Sequence, residues 1–496
     1  MDAGDRRHII QKQVLEFRWA EAGKGRTALD DLNEKFENEI RSGIERVFER
    51  LDRAGQVIRL DKVELDIGTI TRDQYEQGLG ELISEKLYEH LEPKIPIPEY
   101  GTIPEDDDAE VVTIPASDTS AIIFFLEMGY YPWWSPFDTK EELTWKIRGL
   151  IETGEEDFRN RMDVVFSDRD ATTRLVSNIP VTVLDELIRF VYPEIKFRPS
   201  SLIEGIIASM GKRKDAEGVL AVGRGYATML ALLSAEAKIK TGELILKLIR
   251  EMVPGPVARE KSIPGLLERL KKRIETQDKK ASSELLEALG SLVQEIGEGK
   301  IKIKELKGEK VEKKESRKQK EKKEEKVSKE LEKTMVTNSG LVLLWPYLEK
   351  LFEELKYLEK KRFKSDREIN RAILLLDNLV YRDDEREEHR MLLNKIICGV
   401  GTDFLVDLEL KLKKNELEEG EKMLEQFIDH WKKLKNTSPD GLREAFLKRE
   451  GSLDPDGENW KLTVERKSID VLMGTLPFQV SMIKLPWMSN MIFVEW

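Results

Sequence analysis

Residues 436–451, NTSPDGLREAFLKREG, and residues 460–496, WKLTVERKSIDVLMGTLPFQVSMIKLPWMSNMIFVEW, set the terms on which this chain of 496 residues is read. A chain terminus ordinarily frays, because few contacts offset the entropy lost on ordering it. This one carries Trp487, Met488, Met491, Ile492, Phe493 and Trp496, so it is expected to be docked, either on its own domain or on another subunit. Ser438 and Pro439 stand where an N-cap and a first-turn proline open a short helix through Leu442, Ala445, Phe446 and Leu447, and Gly451 is expected to close it. Alternating residues from Trp460 to Arg466 fit a half-buried strand, residues 468–473 a second short helix and residues 491–496 a closing strand.

Upstream of this stretch the apolar period is helical. Leu341, Leu344, Trp345, Leu348, Leu351, Phe352 and Leu355 form one stripe, and Ile369, Ile373, Leu376 and Val380 another. Leu392, Leu393, Ile396 and Ile397 give a third helix stopped by Gly399, and Leu417, Leu424, Phe427, Ile428, Trp431 and Leu434 a fourth. Residues 335–496 are thus read as a helix-rich domain ending in short strands. Before them, residues 302–333 hold fourteen Lys or Arg against nine Glu and almost no apolar residue, which makes 301–334 a tether rather than a packed element. Residues 118–300 read as helices broken at Pro132, Pro180, Pro193, Pro199 and Pro254–Pro256; helices that short are marginal alone, so a bundle or layered array is expected.

Residues 93–115, PKIPIPEYGTIPEDDDAEVVTIP, combine helix-blocking prolines with an acidic run, and 93–117 read as a linker. Residues 1–92 read as strand, helix, strand, helix. Leu15, Phe17 and Trp19 alternate with polar neighbours; Leu29, Leu32, Phe36, Ile40, Ile44, Val47 and Leu51 recur at helical spacing. The second strand places Ile58 and Leu60 on one face and Val63, Leu65 and Ile67 after Asp61 and Lys62, a change of face that implies a bulge or break. The expected fold is mainly α and multidomain, with a small α/β module at the N-terminus, a helical middle and a helix-rich C-terminal domain ending in short strands.

Composition narrows the function. A length of 496 residues implies two to four folded units. With 36% charged residues the chain favours long solvated helices over a compact enzyme, and a net charge of −12 argues against sequence-independent nucleic-acid binding. The single Cys398 excludes an intramolecular disulfide. AIIFFL and GLVLLW fall far short of the roughly 18 apolar residues of a membrane span, and MDAGDRRHIIQKQ lacks a secretory leader's apolar stretch, so cytoplasmic synthesis without stable membrane insertion is expected.

No constellation of catalytic, cofactor-binding or metal-ligating residues emerges. His8, His90, His389 and His430 are scattered, and Cys398 has no CxxC partner for a zinc site; it reads as a small buried hydrophobe. The glycine pairs GKG, GLG, GRG, GEGK and GVG lack a complete phosphate-loop pattern. Asp61, Glu64 and Asp66 fit a solvated strand face better than a cation site, and Asp440 and Glu444 complement a helix N-terminus. What stands out is aromatic. Tyr130, Tyr131, Trp133 and Trp134 around Pro132 fit either a buried plug or an exposed anchor. With Trp345, Leu485, Pro486, Trp487, Met488, Phe493 and Trp496 they are the partner-binding candidates.

The order of NTSxDGLREAFL, WxLxVER, IDVLMxxLP, IKLPWM and a final VEW resembles the C-terminal signature of tape-measure proteins from extracellular contractile injection systems, which are phage-tail-like particles. HIIQKQVLEF with VIRLDKVELDIGTI, FLEMGYYPWWSPF at 125–137 and GLVLLWPYLEKLF at 340–352 resemble further blocks of that family, so the resemblance covers roughly half the chain, in order. It implies a non-enzymatic, cofactor-free structural protein that helps start the inner tube on the baseplate and sets its length from within the lumen. The implied partners are inner-tube, hub, spike or baseplate proteins, with no nucleic acid. The roughly 200 residues between the linker and the C-terminal domain would span at most about 300 Å as one helix. The alternative is a baseplate or tube assembly adaptor or chaperone that sets no length.

Overall fold

The computed structural model describes residues 8–10, 13–17, 31–52, 55–60, 62–95, 109–210, 216–236, 239–252, 263–277, 283–298, 334–383, 385–434 and 436–496. They divide between two compact units, residues 1–121 and 122–496. The tether read at 301–334 lies outside the described residues except Thr334, and Leu29, Trp19 and Asp61 lie outside them too.

In the first unit the helical stripe does what its spacing predicts. A π-helical turn, Phe36–Ile40, runs into α1, Arg41–Leu51, and packs on α3, Leu79–Leu91, through Ile40, Ile44, Val47, Leu51, Leu79, Ile83 and Leu87. Two glycines let the backbones approach: a Cβ on Gly43 would lie 3.0 Å from the Gly80 carbonyl oxygen, and one on Gly80 2.9 Å from that of Glu39. Between them α2, Arg72–Gln77, opens on a capping box in which Thr71 and Gln74 satisfy each other's backbone N–H groups.

Two expectations for this unit are corrected. Residues 13–17 form no strand; the strand that exists, β1 at Gln56–Leu60, pairs antiparallel with β2 at Ala109–Thr113, inside the stretch read as linker. The prolines and acidic run before residue 109 hid the β-branched Val111, Val112 and Thr113, whose strand form is realised by a partner about fifty residues away. The predicted change of face after Asp61 is a break, since β1 ends at Leu60.

The second unit is mainly α. Helix α4, Ile114–Met128, is followed among the described residues before Thr334 by nine helices: α5 (Lys140–Thr153), α6 (Glu156–Ser167), α7 (Arg169–Asn178), α8 (Val181–Val191), α9 (Pro199–Ser209), α10 (Ala216–Ala235), α11 (Thr241–Met252), α12 (Ile263–Gln277) and α13 (Ser283–Gly297). They pack on one another as the array expected from their length. Buried Asp185 on α8 clasps α9 and α10, accepting from the Ser200 N–H at 2.9 Å, from the Ser200 hydroxyl and from Tyr226 Oη at 2.7 Å. That anion, with burial the larger cause, pushes the Tyr226 phenol well up from its usual range.

From Thr334 onward a second core forms around a five-stranded sheet in the order β3 (Thr334–Val336), β6 (Gly451–Asp456), β7 (Asn459–Val464), β9 (Ile492–Glu495), β8 (Met482–Ile483), with the two-stranded ribbon of β4 (Leu358–Glu359) and β5 (Arg362–Phe363) apart from it. Strands β7 and β9 run parallel and the other neighbours antiparallel. The four expected helices are α14 (Trp345–Glu354), α15 (Asp366–Tyr381), α16 (Leu392–Ile397) and α17 (Lys414–His430). Gly399 ends α16 as read, at φ +73°, its N–H reaching the Ile396 carbonyl while that of Val400 reaches Lys395. The Ser438 hydroxyl caps α18, Pro439–Leu442, which continues as a π-helical turn, Arg443–Leu447. Gly451 does not close that helix. It opens β6, where a Cβ would lie 2.7 Å from Ser339 Cβ and 2.9 Å from the Thr463 carbonyl oxygen, so close approach of neighbouring backbone is its reason.

Candidate partner-binding surface

The chain end is docked, and on its own domain. Leu485 and Met488 are buried; Trp487 is wedged between Phe352 and Phe363, with ring centroids at 5.5 and 5.3 Å, and its Nε1–H donates to the Ile397 carbonyl at 2.8 Å. The segment passes over Gly399, where a Cβ would meet the Trp487 carbonyl oxygen at 2.7 Å. Tyr130 is likewise internal and, with Met128, joins the core of the C-terminal domain. Tyr131 packs among Phe125, Phe137 and His389 at 4.8, 5.3 and 4.5 Å. Of the sequence candidates, Tyr130, Leu485 and Met488 are therefore interior. Tyr131, Trp133, Trp134, Trp345, Trp487, Phe493 and Trp496 are half-buried, and Pro486 is exposed.

What those candidates omitted is the stretch just before them. Residues 468–482 contain Ile469, Val471, Leu472, Met473, Leu476, Phe478, Val480 and Met482, yet none of the fifteen is buried. Val471 is 82% exposed and Met482 54%. From Val471 to Ile483 no residue carries a charge, in a chain that is 36% charged. An apolar surface of this kind marks an interaction site more often than a bare solvent face.

The strap is held, not loose. Its first turn is the 3-10 helix Ser468–Thr475, pinned at the start by Asp470, which accepts from the Lys467 N–H at 2.8 Å and from Arg449 Nη2 at 2.9 Å. Partial burial works the other way, but these donors hold the Asp470 carboxyl below its usual range. Trp431 Nε1 donates to Thr475 Oγ1 at 2.8 Å, Trp345 Nε1 to the Gln479 carbonyl at 3.2 Å, and Phe478 packs edge-on against Tyr347 and Phe427. Trp345 thus acts as a prop for the strap. Beyond it, the register Met482↔Phe493↔Lys461 sets Met482 and Phe493 side by side on the outer face of the sheet.

The Asp440 carboxylate takes Arg382 and Arg443, which hold it below the usual range. Glu64 pairs with Lys62, and Asp66 accepts from the Gly68 N–H. Cys398 is buried, which pushes its thiol up. Among the described residues no cluster of His, Cys, Asp or Glu is arranged to hold a metal ion, and no helix is long and apolar enough to cross a membrane.

Residues 7–496 match the family described as contractile injection system tape measure protein. The chain belongs to that family. No curated protein and no solved structure matches it. The tape-measure assignment agrees with the sequence resemblance and extends it to nearly the whole chain. Within this tape measure fold, the block at 340–352 supplies the 3-10 turn Ser339–Leu344 and most of α14, and the terminal block supplies both the strap and the docked end. The block at 125–137 supplies the C-terminal turn of α4 and the aromatic joint after it.

Proposed function

We propose that this chain is the ruler and starter of an inner tube: its C-terminal strap docks on a hub, spike or baseplate component, and the length of its middle limits how many tube rings stack. The observation that carries the docking half is the apolar, half-exposed run at 468–482, uncharged from Val471 onward and held by Trp345, Trp431, Tyr347 and Phe427. The family match supports the measuring half. Assembly would take place in the cytoplasm, with the chain then carried in the particle lumen.

Deleting whole helix pairs between residues 140 and 297 tests this reading, since tubes should shorten in proportion to the residues removed. Unchanged tube lengths refute the ruler and leave the assembly adaptor or chaperone. One observation favours that second reading: the middle is folded into an array whose 20-residue α10 spans only about 30 Å, so the compact form is not itself an extended ruler. Particle composition separates the two, because an adaptor leaves the finished particle and a ruler remains in it.

A further inference from the structure

Arg174 on α7, Glu388 and Lys395 meet wholly inside the second unit, each at most 1% exposed. Glu388 Oε1 accepts from Arg174 Nε at 3.1 Å and from Lys395 Nζ at 2.8 Å. Arg174 Nη1 also donates to the Leu126 and Glu127 carbonyls at the end of α4, at 2.9 and 2.7 Å, and its Nη2 to the Asp403 carbonyl. Lys395 donates further to the Thr402 carbonyl at 3.1 Å. One carboxylate therefore serves two cations, and four carbonyl dipoles supply the remaining negative potential. Gly129, at φ +80°, makes the space: a Cβ there would lie 2.9 Å from Arg174 Nε and from Glu388 Cδ.

Packing across this boundary is thin. Helices α5 to α13 pack on one another, and among the described elements none of them packs extensively on an element after Thr334. The buried core of the C-terminal domain takes Met128 and Tyr130, and then no described residue before Val336. Lys140 also crosses, donating to the Arg386 carbonyl at 3.0 Å.

We propose that Arg174, Glu388 and Lys395 form a releasable latch that clips the array of α5–α13 onto the C-terminal domain, and that opening it frees the array as a folded body while the C-terminal domain stays closed. A broad apolar interface would have to be peeled apart. A desolvated ion cluster is close to all-or-none: closed, its charges satisfy one another; parted, each regains water, so the two states lie near in free energy and a partner that favours one can select it. The use of the latch, keeping a measuring chain compact until tube subunits surround it, rests on the ruler reading above; the latch itself does not.

Hydrogen exchange on the full-length purified protein tests it. Glu388→Gln leaves two buried cations without their anion. Amides of residues 126–130, 401–404 and α7 should then exchange on the order of 100-fold faster, while those of α15 and α17 keep their protection. Gly129→Ala, which wedges the latch without altering its charges, should give the same map, and it carries the test if the first variant does not fold. Unchanged exchange at the latch, or acceleration spread evenly through α15 and α17, overturns the proposal. Tube lengths in the deletion series do not enter this readout, so either idea can fail without the other.

Discussion

Replacing Gly340 by alanine should unfold the C-terminal domain at a markedly lower temperature, although the same substitution at Gly149 should raise stability. Gly340 lies in the fully buried 3-10 turn Ser339–Leu344, pressed against the π-helical turn Arg443–Leu447. A Cβ on it would stand 2.7 Å from the Phe446 carbonyl carbon and 2.8 Å from Leu447 Cα, with the carbonyl oxygen closer still. Carbon atoms in contact sit about 3.5–4.0 Å apart, so the two turns must separate by about 1 Å, and both are backbone with no side chain to rotate aside. Overpacking costs about 1–3 kcal/mol where side chains can yield, so about 3 kcal/mol is expected where they cannot. At about 2–4 °C per kcal/mol for a domain of this size, the calorimetric transition should fall by about 6–12 °C. Gly149 is the control. It lies exposed within α5 with no atom within 4 Å of its would-be Cβ, so Gly149→Ala should stabilise by about 0.5–1 kcal/mol through helix propensity. A Gly340→Ala protein melting within about 2 °C of the parent would refute the reasoning that backbone contact dictates this glycine.

Two further outcomes follow from the same geometry. His389, stacked on Tyr131, is pushed down to about 3 by burial, then by Arg390 and Lys140, while the Glu387 carboxylate 3.6 Å from its Nε2 is itself pushed up by burial. Because the folded value lies below the unfolded value near 6.5, the folded state is favoured with the ring neutral, and stability present above pH 6.5 is lost as pH falls toward 3. Between pH 7.5 and 5.5 this amounts to about 1.4 kcal/mol; urea titrations should show it in the parent, and a His389→Phe variant with the same slope would contradict it. Val471→Asp, on the strap's most exposed side chain, should change unfolding free energy by no more than about 0.5 kcal/mol yet abolish incorporation into particles, and normal incorporation would remove the strap as the docking surface.

The periodic features of this chain were legible because they are local. Stripes at three and four residues in Leu341–Leu355 and Ile40–Leu51 dictate helices whatever surrounds them, and Ser438, Pro439 and Gly399 mark ends through their own backbone chemistry. Family membership was legible for the same reason, since ordered blocks of sequence carry it. Tertiary structure alone decided the rest. Strand β2 needed β1 as a partner, so Val111–Thr113 gave no sign of it beside the prolines. Which aromatics are interior, and that the strap before them is not, depended on what each met in space: Trp487 found the Ile397 carbonyl ninety residues away, while Val471 stayed exposed. Arg174 and Glu388, 214 positions apart, are ordinary surface residues by composition. Only packing that removes them from water turns two common charges into a joint, because the strength of an ion pair is set by the medium around it and not by the residues that form it.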